Sequence, residues 1–354
     1  MNKIKQALIG TILALGGCVG PTPNTTTQVQ PNVSQSGALF PGTGYVTLGG
    51  TTSRNINTGS VQAGANVTHN VERDNPLYQI PIIVGAEAQA LDQHGKADGT
   101  FAGESLGLAA GYDSRDFSQH IELTAIGGAR FSNQHRISGE AETERQNAFD
   151  LNGAIALQMR PNNDWYARAV VSGYHILDGE GQLDLRDSNR DKIETENSGH
   201  GVDAEVVVGR RLTQDFLGRE AGLVGRARAE YDSLSREASA ASPIGTLHVT
   251  EDVENTRISL GAGAYTAAPN GTLRWVHLMP TYTFEQAKQS IDRDAVLGPD
   301  SSSRVTRHFV GLEAQTQLGE RVYVGASIEG KVAESGDASD KDEVRGGLGL
   351  TIRF

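Results

Sequence analysis

Two places in the chain put a serine close to a histidine, the pair that a hydrolase uses as nucleophile and base. They are Ser198-Gly199-His200 and Ser172-Gly173-Tyr174-His175. Nucleophilic catalysis also needs a third group that orients the base, and proximity along the chain does not supply one. Gly-x-Ser-x-Gly occurs once, as Gly103-Glu104-Ser105-Leu106-Gly107 within a strand-like segment, whereas His-Glu-x-x-His and glycine-rich phosphate motifs are absent. We therefore expect no catalytic residues, no cofactor and no enzymatic activity.

One acidic segment begins like a calcium-binding loop. Asp187, Asn189 and Asp191 have the spacing of the first ligands of an EF-hand. Lys192 stands where that loop needs glycine, and Ser198 stands where it needs a bidentate glutamate. We predict no metal site, and we interpret the acidic runs at 178–196 and 334–343 as solvated loops.

The last eleven residues, 344–354, have the alternating pattern of a β-strand. In an extended strand, alternate side chains face opposite sides. Arg345 and Arg353 fall on one side of this segment, and the other side is apolar and includes Leu348, Leu350, Ile352 and Phe354. A tilted strand of about ten such residues spans a bilayer, and a C-terminal aromatic residue is typical of bacterial outer-membrane barrels. We predict that these four apolar residues form the signal for the barrel-assembly machinery.

Other segments alternate in the same way and place charges on one face. Asp203 and Glu205 lie opposite a row of valines, and Arg226, Arg228 and Glu230 lie opposite leucine, alanine and tyrosine. With Arg345 and Arg353 they are our candidates for the lumen of a barrel. Mixed signs are compatible with a salt-bridge network that fills the barrel and equally with a polar pore lining. The candidates for aromatic girdles at the membrane boundaries are Trp165, Tyr166, Tyr174, Tyr265, Trp275, Tyr282 and Phe309.

The alternating segments predict an all-β fold, an antiparallel transmembrane β-barrel of about twelve strands after residue 80. Short connections alternate with long polar ones, as expected for short periplasmic turns and long outer loops. The long ones are 92–102, 132–148, 176–198, 232–253, 285–303 and 332–342. Two further strand-like runs, 43–52 and 61–71, make fourteen strands possible.

The composition agrees with a barrel although it looks soluble. The chain has 354 residues, 37% of them hydrophobic, and a mean hydropathy of -0.37. Half of every spanning strand faces a polar lumen, so the average stays low while an apolar belt is present. The net charge of -12 argues against nucleic acid as a partner.

The amino terminus predicts export. Lys3 and Lys5 precede an apolar run, and Leu15-Gly16-Gly17-Cys18 follows. This resembles a lipoprotein signal, in which Cys18, the only cysteine, would be lipidated; an ordinary signal peptide cut nearby is the alternative. We expect a signal peptide at 1–17, a low-complexity linker at 18–42, a short strand-like segment at 43–77 and a barrel domain at 78–354. The expected location is the outer membrane of a Gram-negative bacterium, where the barrel would contact the membrane lipids.

The order of motifs in 78–354 is similar to the translocator β-domain of autotransporters. The resemblance rests on Asp164-Trp165-Tyr166 after a short turn, Gly173-Tyr174 before a long loop, two strands at 199–211 and 222–231, and the terminal G-G-L-G-L-T-I-R-F. It implies a twelve-stranded barrel that delivers an N-terminal passenger to the cell surface. Residues 19–79 are too few for the long passenger that is usual in that family.

Three functions follow as hypotheses. The first is an outer-membrane barrel that moves or displays a short N-terminal segment. The second is a small-solute pore of twelve to fourteen strands, with residues 43–71 in the wall. The third is an adhesin that binds an unknown surface ligand through long acidic loops.

Overall fold

The computed structural model describes fourteen strands and four residues beside them, Asp164, Asp300, Gly319 and Glu343. The strands are β1 (Thr43–Thr52), β2 (Ile56–Val71), β3 (Ile80–Gly95), β4 (Gly99–Ser118), β5 (Ile121–Ser138), β6 (Ala141–Asn162), β7 (Trp165–Asp184), β8 (Lys192–Phe216), β9 (Arg219–Ser242), β10 (Gly245–Ala267), β11 (Leu273–Arg293), β12 (Ser301–Leu318), β13 (Val322–Gly336) and β14 (Val344–Arg353). The predicted signal peptide, linker and lipidation site at Cys18 lie outside the described residues. No helix long and apolar enough to cross a membrane occurs in the part of the chain that the structure describes.

The strands form one closed antiparallel barrel. Each strand pairs with its neighbours in sequence, and β1 pairs with β14 from Thr43 opposite Arg353 to Thr52 opposite Val344. The barrel therefore has fourteen strands instead of twelve, because β1 and β2 belong to its wall. The period-two alternation of residues 61–71 is the sequence signal for this larger count.

The polar stretches predicted as long outer loops are mostly strand, which corrects that part of the sequence analysis. The ladder between β9 and β10 continues to Ser242 opposite Gly245, and that between β7 and β8 continues to Asp184 opposite Lys192. Backbone hydrogen bonds hold such a ladder together whatever the polarity of the side chains. The alternation of apolar and polar residues stops where the membrane ends, so the sequence alone does not indicate that the strands go on.

An apolar belt surrounds the outer face of the barrel. Its members are large apolar side chains that are more than a third exposed: Leu106, Leu108, Ile155, Val171, Val206, Leu260, Leu278, Val310, Ile328 and Leu348. On β8, exposed Arg210 at one end and exposed His200 at the other bound the belt. This stretch is about ten residues long, so at roughly 3.3 Å per residue and a tilt of 35–45° it covers about 25 Å. That is the height of the apolar band of an outer-membrane barrel.

Aromatic residues mark both edges of the belt, but only some of the predicted ones do so. Trp165 is 40% exposed with the Arg210 guanidinium 5.2 Å from its ring, and Tyr282 is 42% exposed beside His308. Tyr166, Tyr174, Tyr265 and Phe309 lie inside the barrel instead, so their assignment to a girdle is wrong. The side chain of Trp275 lies outside the described residues. Glycine and alanine occupy both faces around Tyr265, which leaves the sequence without a clear inner and outer side there.

Three tyrosines inside the barrel lie flat over glycines of the neighbouring strand. Tyr166 is paired with Gly209, Tyr174 with Gly201 and Tyr265 with Gly222. A Cβ atom added to any of these glycines would meet the opposing ring at 2.5 Å or less. The absence of a side chain at these glycines lets the rings cover the inner wall closely.

Replacing Gly209 by alanine should lower the free energy of unfolding by about 1–3 kcal/mol, because the new Cβ would lie 1.9 Å from Tyr166 Cε1. Urea unfolding in detergent micelles measures the change. Adding Tyr166→Ala removes the clash, so the double variant should lose less than the sum of the two single losses. Additive losses would show that the ring and the glycine do not pack together.

Candidate functional site: the charged lumen

The candidate lumen residues lie on the inner face of the barrel. Arg226, Arg228 and Arg345 are buried, at 9%, 6% and 0% exposure. Asp203, Glu205 and Glu230 are half-buried. On the outer face, Leu348, Leu350 and Ile352 are exposed, as expected for lipid contact. The side chain of Arg353 and the whole of Phe354 lie outside the described residues, so the assembly signal stays a prediction.

Three ion pairs each join a strand to the third strand further along the barrel. They are Arg226 on β9 with Glu313 on β12 (2.6 Å), Arg257 on β10 with Glu329 on β13 (3.0 Å), and Glu285 on β11 with Arg345 on β14 (2.7 Å). We call them the three clamps. Strands three apart are about 14 Å apart along the sheet, a distance that only long side chains can bridge. The clamps therefore form a second layer inside the wall from β9 to β14.

Apolar and small residues fill the space beneath the clamps. Met279 and Phe309 are fully buried, and the Arg345 guanidinium lies 4.0 Å from the Phe309 ring centroid. A Cβ at Gly311 would lie 2.7 Å from Glu329 Cγ, and one at Gly261 would lie 2.8 Å from Met279 Sδ. These glycines make room for the clamp layer, and the stacked guanidinium gains cation–π attraction.

The third clamp is part of a larger network at the outer mouth. We define the outer-mouth network as the carboxylates of Glu285, Glu334 and Glu343 with the cations of Arg307, Lys331 and Arg345. Charges of the two signs are equal in number, so the network as a whole is neutral. Arg345 reaches Glu343 at 2.6 Å, and Lys331 reaches Glu334 at 2.5 Å and Glu343 at 3.7 Å.

A β-bulge brings two members of this network to the same side of β13. His308 pairs with Ala333 while Phe309 pairs with Lys331, which leaves Val332 as the extra residue. Lys331 and Glu334 are three positions apart and would face opposite sides of a regular strand. The bulge turns both side chains inward, where they are 2% and 9% exposed.

The wall formed by β8 and β9 carries a different arrangement. The buried Arg228 contacts Asp203 at 2.9 Å and also pairs with Glu230. Its side chain is 5% exposed, whereas those of Asp203 and Glu230 are 17% and 22% exposed. Tyr174 donates a hydrogen bond to Asp232 at 3.0 Å. Here the carboxylates, and not the guanidinium, form the surface that faces the lumen.

Three further ion pairs lie along the described wall. Arg130 on β5 contacts Asp150 on β6 at 2.9 Å. At the periplasmic turns, Arg211 joins Asp164 at 2.8 Å to Glu220 at 3.4 Å, and Tyr265 donates to the same Glu220 at 3.3 Å. These contacts link the start of β7 with β8, β9 and β10 at the periplasmic mouth of the barrel.

The two serine–histidine pairs are placed differently on the described strands. Ser198 and His200 are both exposed on the outer face, and the His200 ring contacts Tyr231 and His175. His175 is exposed on the outer face as well, whereas Ser172 faces the lumen. Within the described residues, no three histidine, cysteine or carboxylate side chains come together in a way that could hold a metal ion.

Comparisons with known proteins add structural neighbours only. No protein-family model matches the chain, and no curated protein matches it. Similar solved structures include the translocator domain of the autotransporter NalP from Neisseria meningitidis, with 13% identity, 91% of this chain and 93% of that chain covered, and a TM-score of 0.39. The β-domain of the Bordetella autotransporter BrkA has 14% identity, 89% and 100% coverage and a TM-score of 0.39. The Pseudomonas putida toluene transporter TodX has 8% identity, 88% and 90% coverage and a TM-score of 0.41.

Closed barrels and helices are the structures that satisfy every backbone hydrogen bond inside a bilayer. This chain has the closed wall, an apolar belt of the required height and a polar inner face. The chain is an outer-membrane β-barrel.

Proposed function

We propose that the protein is a pore for small polar solutes. The observation that supports this most strongly is that β1 and β2 complete the wall of a fourteen-stranded barrel. Residues 43–71 are then not available as a passenger. Side chains can fill the interior of an eight-stranded barrel, and the interior of a fourteen-stranded barrel is wider. The described inner face of this barrel is polar and charged.

The position of the clamps and the exposure of the other inner side chains support a passage next to the clamps. The clamps lie against β9–β14, and their pairing is local to that wall. On β8 and β9 the inner carboxylates remain partly exposed to solvent. A water-filled path beside these carboxylates is what a small polar solute requires.

The full chain should give single-channel steps in planar lipid bilayers, and thiol labelling tests whether the current flows through the lumen. In a Cys18→Ser background, Glu205→Cys places a thiol on the inner face of β8, and Ala204→Cys places one on the outer face. A bulky charged thiol reagent should reduce the current at position 205 and leave it unchanged at position 204. Equal effects at both positions, or an absence of steps, would contradict the pore.

Display of an N-terminal segment would be restricted to residues 18–42. The start of β1 and the end of β14 lie at the same end of the barrel, so such a segment would have to run back through the lumen. Deleting residues 19–42 should leave the conductance unchanged if the protein is a simple pore and raise it if that segment occupies the lumen. Binding of a surface ligand through the outer ends of the strands stays a prediction.

A further inference from the structure

The two sides of the lumen differ in which charges water can reach. On β9–β14, carboxylates and cations are matched and buried together: Glu285 and Arg345 are 1% and 0% exposed, and Arg226 and Glu313 are both 7% exposed. Charges that are paired and shielded in this way contribute little to the potential along a passage. This wall is effectively neutral toward a passing ion.

The wall of β8 and β9 presents mainly carboxylates. Asp203, Glu205, Glu230 and Asp232 are all half-buried on this inner face. The Arg228 side chain between them is only 5% exposed, because the carboxylates of Asp203 and Glu230 cover it. A solute moving along this wall therefore meets oxygen atoms before it meets the guanidinium.

Acidic residues also dominate the outer approach to this wall. We call the strand segments beyond the outer edge of the belt, 176–184, 192–199, 232–242, 245–255 and 285–293, the crown. On its inner face the described charges are Asp232, Glu251 and Glu285 against Arg236 and Arg293. Its outward-facing charges, which do not line the passage, are Asp178, Glu180, Glu194, Glu196, Glu237, Asp252, Glu254 and Asp292 against Lys288. Carboxylates that line a passage raise the local concentration of cations.

We propose that the pore is selective for cations, so that small cations and cationic solutes are the class it passes best. This rests on the proposed function as a pore. The inference concerns the potential along the whole passage, for which acidic linings are a known source of cation selectivity. No single binding site is required.

The reversal potential of the full-length protein in a planar bilayer tests the proposal. Under a tenfold potassium chloride gradient it should have the sign that corresponds to potassium permeation, with a potassium permeability several times that of chloride. The double variant Glu205→Gln with Asp232→Asn removes two carboxylates and keeps the salt bridges of Arg228 with Asp203 and Glu230. It should lower the permeability ratio at least twofold.

A matched control lies on the same strand. Glu196 is exposed on the outer face of β8, so Glu196→Gln should leave the permeability ratio unchanged. Steps that show no cation preference, or a ratio that the double variant leaves intact, would overturn the selectivity and leave the pore standing. A protein that inserts without any steps would instead overturn the pore, and the selectivity with it.

Discussion

Replacing Arg345 by methionine should remove about 3–5 kcal/mol from the free energy of unfolding. The Arg345 side chain is 0% exposed and contacts Glu285 and Glu343, whose side chains are 1% and 2% exposed. Methionine fills a similar volume over Phe309, but it leaves the three buried carboxylates of the outer-mouth network with two cations, Arg307 and Lys331, instead of three. Urea unfolding in micelles, followed by the shift of the folded band on unheated gels, measures the loss.

A double-mutant cycle separates this pairing from general damage to the barrel. Glu285→Gln alone should also destabilise, and the double variant should lose less than the sum of the two single losses, because the second change finds its partner already gone. Arg304, which is exposed on β12, provides the matched control. A loss for Arg304→Met as large as that for Arg345→Met would mean that burial of the network is unimportant.

Replacing Val206 by arginine should cost about 2–4 kcal/mol, because this residue lies on the outer face near the middle of the apolar belt. Val206 is 47% exposed, and the belt on β8 runs from His200 to Arg210. A guanidinium at that depth has no water, and its described neighbours across the ladders, Ala169 and Ala227, are apolar. Unfolding from lipid vesicles, where the hydrocarbon layer is present, is the appropriate measurement.

The same substitution at Ser198 gives the comparison. Ser198 is on the outer face of the same strand, beyond His200 and outside the belt. Ser198→Arg should therefore cost about 0–1 kcal/mol. If both substitutions had equal effects, the boundary that we place at His200 would be in the wrong position.

The membrane-spanning part of the barrel could be predicted from the sequence, because apolar side chains alternate there with polar or small ones. In β14 and in 202–211, apolar side chains alternate with charged or small ones, and the structure has these segments as strands with the expected outer faces. Beyond the membrane, both faces of a strand meet water and the alternation disappears. For that reason the sequence predicts loops where the structure has the outer ends of β3 to β13.

The clamps could not be derived in the same way. Whether Arg226 meets Glu313 depends on the stagger between β9 and β12. This stagger is the sum of the registers of three strand pairs, and the sequence of neither strand indicates it. The bulge at Val332 likewise depends on how β12 and β13 pair. The sequence indicated which residues face inward, and only the register decides which of them become partners.

Closure of the barrel depends on a pairing between strands from opposite ends of the chain. Thr43 lies opposite Arg353, and the ladder between β1 and β14 runs over their full length. Contacts so distant in sequence form slowly, since a long loop must be ordered before they yield any stabilisation. Until then β1 and the last completed strand are both open edges, which are prone to pair with other chains. We expect the rate of closure, more than the stability of any interior strand, to determine how much of the protein escapes aggregation during assembly.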